Sequence, residues 1–260
     1  MQNNLAEIAR KSRIKALEMT HAARAAHIGS SLSVIDIAVA LFSHSLRKSD
    51  SGDLVLVSKG HAAAGIYSVL NQFNVVPDSW IDDYCKNGSR LGGHVTSTNV
   101  PVLELSTGSL GHGLPFGVGR ALAKKRKAEI GQVFVILSDG ECDEGSNWEA
   151  ALLAGHLELG QLIVFIDRNR LQSLDETEKT IALEPLGDKW RAFNWDVNEI
   201  DGHNLEQLTE AVKGQSSNKP RLFICNTIKG KGVNFMENSV KWHYRPPSDE
   251  ELLAAKESLK

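Results

Sequence analysis

LSDGECDEGSNWEAALLAGHLELGQLIVFIDRN, residues 137–169, begins at the end of one apolar run and closes just past the end of another. Val133–Leu137 (VFVIL) and Leu162–Ile166 (LIVFI) are short and continuously apolar, as strands buried on both faces are. Between them, Trp148–Leu159 has the composition of a helix. Strand, helix and strand in that order predict a parallel pair joined by a crossover. Both strands then bring their carboxyl ends to one crevice, the first at Asp139-Gly140 and the second at Asp167-Arg168-Asn169. Ligands of parallel sheets collect beyond such ends.

The flanking sequence extends the pattern. Leu222–Ile228 (LFICNTI) reads as a third buried strand. Asp53–Ser58 (DLVLVS) reads as another, ending at Lys59-Gly60-His61 and followed by the helix-like AAAGIYSVLNQF. Near the amino terminus, Leu5, Ile8, Ala9, Ala16, Leu17 and Met19 recur at helical spacing, and Ser33–Leu41 is apolar nearly all round, which predicts a buried helix. Asn87–Gly119 is glycine-rich and is expected to be mainly loop until a helix over Arg120–Glu129. Lys124-Lys125-Arg126-Lys127 reads as the solvated last turn of that helix. Lys229 to Pro247 is too marked by glycine and proline to be regular, and Ser248-Asp249-Glu250-Glu251 supplies a capping box for a last helix. The expected fold is α/β: one domain over residues 1–260, a mostly parallel sheet with helices on both faces, and an irregular carboxyl-terminal segment.

Composition narrows the partners. With 42% hydrophobic residues in 260, the chain can bury a large core. A formal charge of −3 gives no electrostatic reason to coat nucleic acid or an anionic membrane. The 3 cysteines form no C-x-x-C pair, which fits a reduced, cytoplasmic setting better than a disulfide framework or a zinc site. No apolar run reaches the roughly eighteen residues of a membrane span, and Met1–Arg10 lacks the apolar stretch of a secretory signal.

An acid and an amide at adjacent strand ends suit magnesium, which takes hard oxygen ligands and combines few protein groups with phosphate oxygens and water. Asp139 and Asn169 fit that description. Alone, the pair could equally be a helix cap and a turn. The surrounding residues add to it. The segment resembles the thiamine diphosphate motif of the transketolase family, G-D-G followed one crossover later by N, with Ser138 standing where the first glycine would be. Glu144, Gly145, Trp148, Glu149 and Ala150 match the helix start of that motif. The resemblance runs over nearly all of the chain through His27 in AHIGSS, His61 in SKGHAA, His94 in GGHVTS, His243 in KWHYRP and the loop TGSLGHG.

That resemblance implies thiamine diphosphate and Mg2+, with Ca2+ or Mn2+ able to stand in, as cofactors. Asp139 and Asn169 would hold the metal by their side chains and Leu171 by its carbonyl. Gly140 would offer its amide to the diphosphate, and Gly108 and Leu110 would lie against the thiazolium ring. With no cluster of arginines in the motif, the metal would neutralise most of the diphosphate charge. His61 and His243 would stand near cofactor and substrate, His94 at the donor's terminal hydroxyl, and His27 at acceptor or donor oxygens. Histidine suits such work because its proton moves near neutral pH. Val95 after His94 and Ile28-Gly29-Ser30-Ser31 after His27 depart from the family's pattern, which bears on sugar specificity. His21 and His156 are expected to be structural, and Cys142, without a neighbouring base, is assigned no nucleophilic role.

The implied reaction moves a two-carbon ketol unit from a ketose, sugar or sugar phosphate, to an aldose. The family's pyrimidine-binding domain and its catalytic glutamate have no counterpart in the sequence. A second subunit is therefore expected to supply them, in an assembly with two copies of each chain. The alternatives are a subunit of another thiamine diphosphate enzyme, such as a deoxyxylulose phosphate synthase-like synthase, and a non-catalytic partner-binding paralogue. A nicotinamide-dependent oxidoreductase would need a strand directly before Gly111-x-Gly113, which the sequence does not offer.

Overall fold

The computed structural model describes residues 2–46, 52–213 and 217–260. In chain order the elements are α1 (Gln2–Ala23), α2 (Ile28–Ser45), β1 (Leu54–Val57), α3 (Ala63–Gln72), α4 (Asp78–Ile81), α5 (Gly113–Lys127), β2 (Val133–Ser138) and α6 (Gly145–His156). There follow β3 (Leu162–Arg168), α7 (Thr177–Thr180), α8 (Leu186–Ala192), β4 (Asp196–Asp201), α9 (Leu205–Lys213), β5 (Arg221–Asn226) and α10 (Asp249–Ser258). The sheet runs β1-β2-β3-β5-β4, and every pairing in it is parallel.

Alternate residues of the inner strands serve two cores, one on each face. Phe134, Ile136, Ile163 and Phe165 pack with α1, α2 and α3. Val133, Val135, Leu162 and Val164 pack with α5, α6 and α8. Burial on both faces is why these strands are continuous apolar runs in the sequence. Helix α2 is apolar all round because it lies inside the domain. It is long and apolar enough to cross a membrane, yet 89% of that span is buried in the protein.

Two expectations need correction. β4, DVNEID, was not anticipated; it pairs only with β5, at the sheet edge, and four of its six residues are exposed. An edge strand with a wet face carries no apolar run to mark it. The helix expected over Arg120–Glu129 begins at Gly113 and ends at Lys127, so part of the glycine-rich stretch is helical. Its glycines answer to packing. A Cβ on Gly117 would lie 2.7 Å from Val135 Cγ2, and one on Gly113 would lie 2.3 Å from Ser58 Cβ. The helix approaches the sheet too closely there for a side chain. The last turn of α5 is solvated at Lys125, Arg126 and Lys127, whereas Lys124 is buried and donates to the Ile130 carbonyl at 2.8 Å. The capping box forms as expected, Ser248 Oγ accepting from the Glu251 amide.

Because Phe165 is buried and stacked on Phe223, with ring centroids 5.1 Å apart, its loss should be costly. Phe165→Ala is expected to lower unfolding free energy by about 3–5 kcal/mol in urea titration, against less than about 0.5 kcal/mol for exposed Leu253→Ala.

Candidate active site

At the carboxyl edge of the sheet, β1, β2, β3 and β5 end side by side and release Ser58-Lys59, Asp139-Gly140, Asn169 and Thr227 into one region. A cavity of about 240 Å³ opens there. Its lining includes His27, His61, His94 and His243 together with Gly108, Leu110, Asp139, Gly140, Asn169 and Leu171. Every site residue named from the sequence therefore borders a single cleft.

Asp139 is buried, and its Oδ2 accepts from the Arg170 amide at 2.6 Å and from Arg168 Nη1 at 3.3 Å. Asn169 Oδ1 accepts from the Leu171 amide at 3.1 Å. The Gly140 amide, expected to face a diphosphate, donates to Asp139 Oδ1 at 2.8 Å. Burial, reinforced by the nearby Asp167 carboxylate, pushes the Asp139 carboxyl above its ordinary value despite Arg168. A buried carboxylate with incomplete compensation, beside a carboxamide and a backbone carbonyl, is a set of hard oxygen donors that fits a divalent cation. No group of three or more His, Cys, Asp or Glu side chains that could hold a metal occurs among the described residues, so a transition-metal site of that kind is not formed. Ser138, in place of the motif's first glycine, is the last residue of β2 and pairs in register with Asp167 of β3.

The four histidines converge from four separate segments. His27 lies 5.4 Å from His61, 5.8 Å from His94 and 5.0 Å from His243 between ring centroids, and His61 stacks on His243 at 5.9 Å. His27 adopts φ 72°, uncommon for a residue with a side chain, directly before α2. Its amide donates to the His243 carbonyl at 2.6 Å, which fixes one histidine against another. His94 is held by its backbone: Tyr67 Oη donates to the His94 carbonyl at 2.9 Å and accepts from the Thr96 amide at 3.0 Å.

Positive charge reaches this site through lysines that the sequence reading passed over. Lys59 is fully buried in an ion pair with Asp167, whose carboxylate also accepts from Ser33 Oγ at 2.6 Å and from Thr227 Oγ1. Lys229, also fully buried, donates to the carbonyls of Leu171 and Gln172, each at 3.1 Å, and its Nζ lies 2.9 Å from His243 Nδ1. Burial, with Lys59 nearby, lowers the Lys229 ammonium to about 8. The protein's own share of positive charge near the cleft thus comes from lysine, not from a cluster of arginines. The available signals were the lysine directly before Gly60-His61 and the Lys229-Gly230-Lys231-Gly232 run. Tyr244, 4.8 Å from the His243 ring, also lines the cleft and was not anticipated.

Elsewhere the assignments follow the structure. His21 Nδ1 meets the Pro247 carbonyl at 3.0 Å, and Cys142 is buried, its thiol pushed well up by burial. Glu141, which the sequence did not single out, is buried and ties three loops together. It accepts from Ser58 Oγ, from the Gly111 amide at 2.9 Å and from the Ser138 amide at 3.2 Å.

Burial foremost holds His27 at about 4, below the ordinary 6.5, with His94 and the lysines adding to it, and His243 at about 3, with Lys229 adding to it. The folded chain thus keeps both imidazoles neutral where the unfolded chain protonates them. As pH falls from about 6.5 to about 4 the unfolded state binds more protons, so stability must decline. The urea midpoint is expected to fall over that interval, and less steeply in His27→Gln; equal slopes would contradict the neutral assignment.

Residues 5–260 match the family described as "Transketolase, thiamine diphosphate binding domain". The chain is 37% identical to an apulose-4-phosphate transketolase subunit of Actinobacillus succinogenes, over 90% of its own length and 87% of that protein. It is 37% identical to a 6-deoxy-6-sulfo-D-fructose transketolase subunit of a Clostridium species, over 88% and 86% respectively. The crystal structure of transketolase from Campylobacter jejuni superposes with a TM-score of 0.89 at 27% identity, covering 98% of this chain and 42% of the other. The chain thus spans about two-fifths of that single-chain protein.

Proposed function

Because this chain belongs to the transketolase family through its thiamine diphosphate-binding domain, we propose that it works as the amino-terminal subunit of a two-chain transketolase. Its reaction moves a two-carbon ketol unit from a ketose, sugar or sugar phosphate, to an aldose. The observation that carries this reading is the gathering of four histidines, Asp139, Asn169 and the Leu171 carbonyl around one cleft at the carboxyl edge of a parallel sheet.

Thiamine diphosphate, when bound, supplies the electron sink that lets a ketose carbon–carbon bond break. Asp139, Asn169 and the Leu171 carbonyl would hold Mg2+, with Ca2+ or Mn2+ able to replace it. Gly108 and Leu110 border the space for the ring, and Lys229 brings an ammonium to the same carbonyl that would ligate the metal. His61 and His243 serve cofactor and substrate. His94 binds the donor's terminal hydroxyl, and His27 binds donor or acceptor oxygens. All four border the same cleft, where they can hydrogen-bond the oxygens of a bound sugar.

Two relatives of similar identity carry names with different sugars, so the sugar is not inherited from either. A second subunit with the pyrimidine-binding domain and a catalytic glutamate completes the site, and the assembly holds two copies of each chain. The chain acts as one domain in a reducing, cytoplasmic compartment, a reading supported by its free cysteines.

In the reconstituted two-chain enzyme, Asp139→Ala is expected to abolish magnesium-dependent binding of thiamine diphosphate measured by calorimetry, and binding equal to that of the unsubstituted pair would remove Asp139 from the metal site. In sedimentation of the co-expressed pair, one species containing both subunits in equal number is expected; separate monomers at micromolar concentration would sink the two-chain reading.

A further inference from the structure

Outside the cleft, three polar side chains from three elements meet in the core. Asp36, on α2, accepts from both terminal nitrogens of Arg13 on α1, Nη1 at 3.1 Å and Nη2 at 2.5 Å. Its Oδ2 also receives His203 Nδ1 at 2.7 Å, from the turn that follows β4. The second ring nitrogen fixes the tautomer. His203 Nε2 accepts from the Ile228 amide at 2.9 Å, so the ring proton sits on Nδ1 and points at Asp36. Arg13 has a second arm as well, because its Nε donates to the Lys231 carbonyl at 3.2 Å. Burial pushes the Asp36 carboxyl up, but Arg13 and His203 outweigh it and hold the group ionised.

The two backbone groups gripped in this way, the amide of residue 228 and the carbonyl of residue 231, flank Lys229. Lys229 sits in the irregular run after β5, where single bonds such as Asn238 amide to Lys229 carbonyl at 2.9 Å replace a strand ladder, and its side chain stays buried to reach Leu171, Gln172 and His243. Ordering a lysine in one rotamer costs about 1.5–2 kcal/mol of side-chain entropy, and a loosely held backbone would add to that. One carboxylate therefore braces both sides of the residue that carries charge to the cleft.

We propose that Asp36, acting through Arg13 and His203, is a clamp that fixes residues 228–231 and so holds Lys229 behind the cleft wall, against Leu171, Gln172 and His243, which border the cavity. The three are positioning residues; none of them borders the cavity. That the cleft takes thiamine diphosphate rests on the proposed function; the clamp on residues 228–231 does not. A plain stabilising network would weaken the whole fold. A clamp acts locally and acts through Lys229.

The test compares His203→Leu, which removes both ring contacts, with His203→Gln, whose amide keeps one donor and one acceptor. In hydrogen exchange on the full chain, His203→Leu is expected to speed amides 228–232 by about tenfold or more while those of β2 and β3 keep their rates, and His203→Gln to restore protection. Uniform acceleration across the sheet, or none at 228–232, would overturn the clamp. Thiamine diphosphate affinity with magnesium should drop about tenfold in His203→Leu, yet change by less than about twofold when the same substitution is made in a Lys229→Met background. Full additivity would mean that His203 acts elsewhere. With affinity measured on the pair of subunits, absence of cofactor binding by the unsubstituted pair would overturn the cofactor reading, and the exchange pattern would still decide the clamp. Should His203→Leu not fold, Arg13→Lys keeps the charge but loses the Nε bond to Lys231, and the same local acceleration is expected of it.

Discussion

The buried carboxylate of Asp167 is the constraint on which the site depends. It sits at the end of β3 and binds Lys59 from beyond β1, Ser33 from α2 and Thr227 from beyond β5. Three segments that carry cleft residues are thereby referred to one point: Lys59 precedes His61, Ser33 lies in the helix that His27 begins, and Thr227 leads to Lys229. Removing one partner of such a pair leaves an uncompensated buried charge, a loss of about 3–5 kcal/mol. The arrangement is costly in isolation because both ions surrender their water. It is stable here because Asp167 receives three donors and each of its oxygens is satisfied.

Much of this was legible in the sequence, for identifiable reasons. β1, β2, β3 and β5 show as apolar runs because each is buried on both faces, and the strand ends that carry Asp139 and Asn169 follow directly from them. The four histidines were found through the residues around them, since an isolated histidine has no periodic signal. What stayed hidden did so for physical reasons. β4 is an edge strand whose polar residues face water. The start of α5 is masked by glycines, which read as loop although close packing against Ser58 and Val135 demands them. Lys59 and Lys229 carry no sequence signal of burial, because lysine is almost never fully buried unless paired. Their partners, an aspartate far along the chain and two backbone carbonyls, cannot be seen without the fold.

Asp36 repeats the logic of Asp167 one layer further out. Each is a buried carboxylate that collects donors from distant segments, and each settles the position of a cationic side chain at the cleft. They differ in what they hold: Asp167 binds the ammonium of Lys59 directly, whereas Asp36 holds the backbone on either side of Lys229. The irregular segment after β5 is held by single backbone bonds, Asn238 to Lys229 and Gly230 to Gly29, and the Asp36 clamp adds two more points of attachment at Ile228 and Lys231.

This division of charge also explains the histidines. Lys59 and Lys229 lie close enough to disfavour a proton on His61 and His243, and His27 responds to both lysines as well, each beneath the larger effect of burial. Positive charge beside the cleft therefore comes from lysine rather than from His27, His61 or His243. A site that relied on protonated histidines for its positive charge would lose the free imidazole nitrogens needed to accept protons, because one ring cannot act as a fixed cation and as a base at the same pH. With lysine supplying the positive charge and burial holding His27 and His243 below the ordinary imidazole range, those two rings stay neutral at neutral pH and keep a nitrogen free to accept a hydrogen bond.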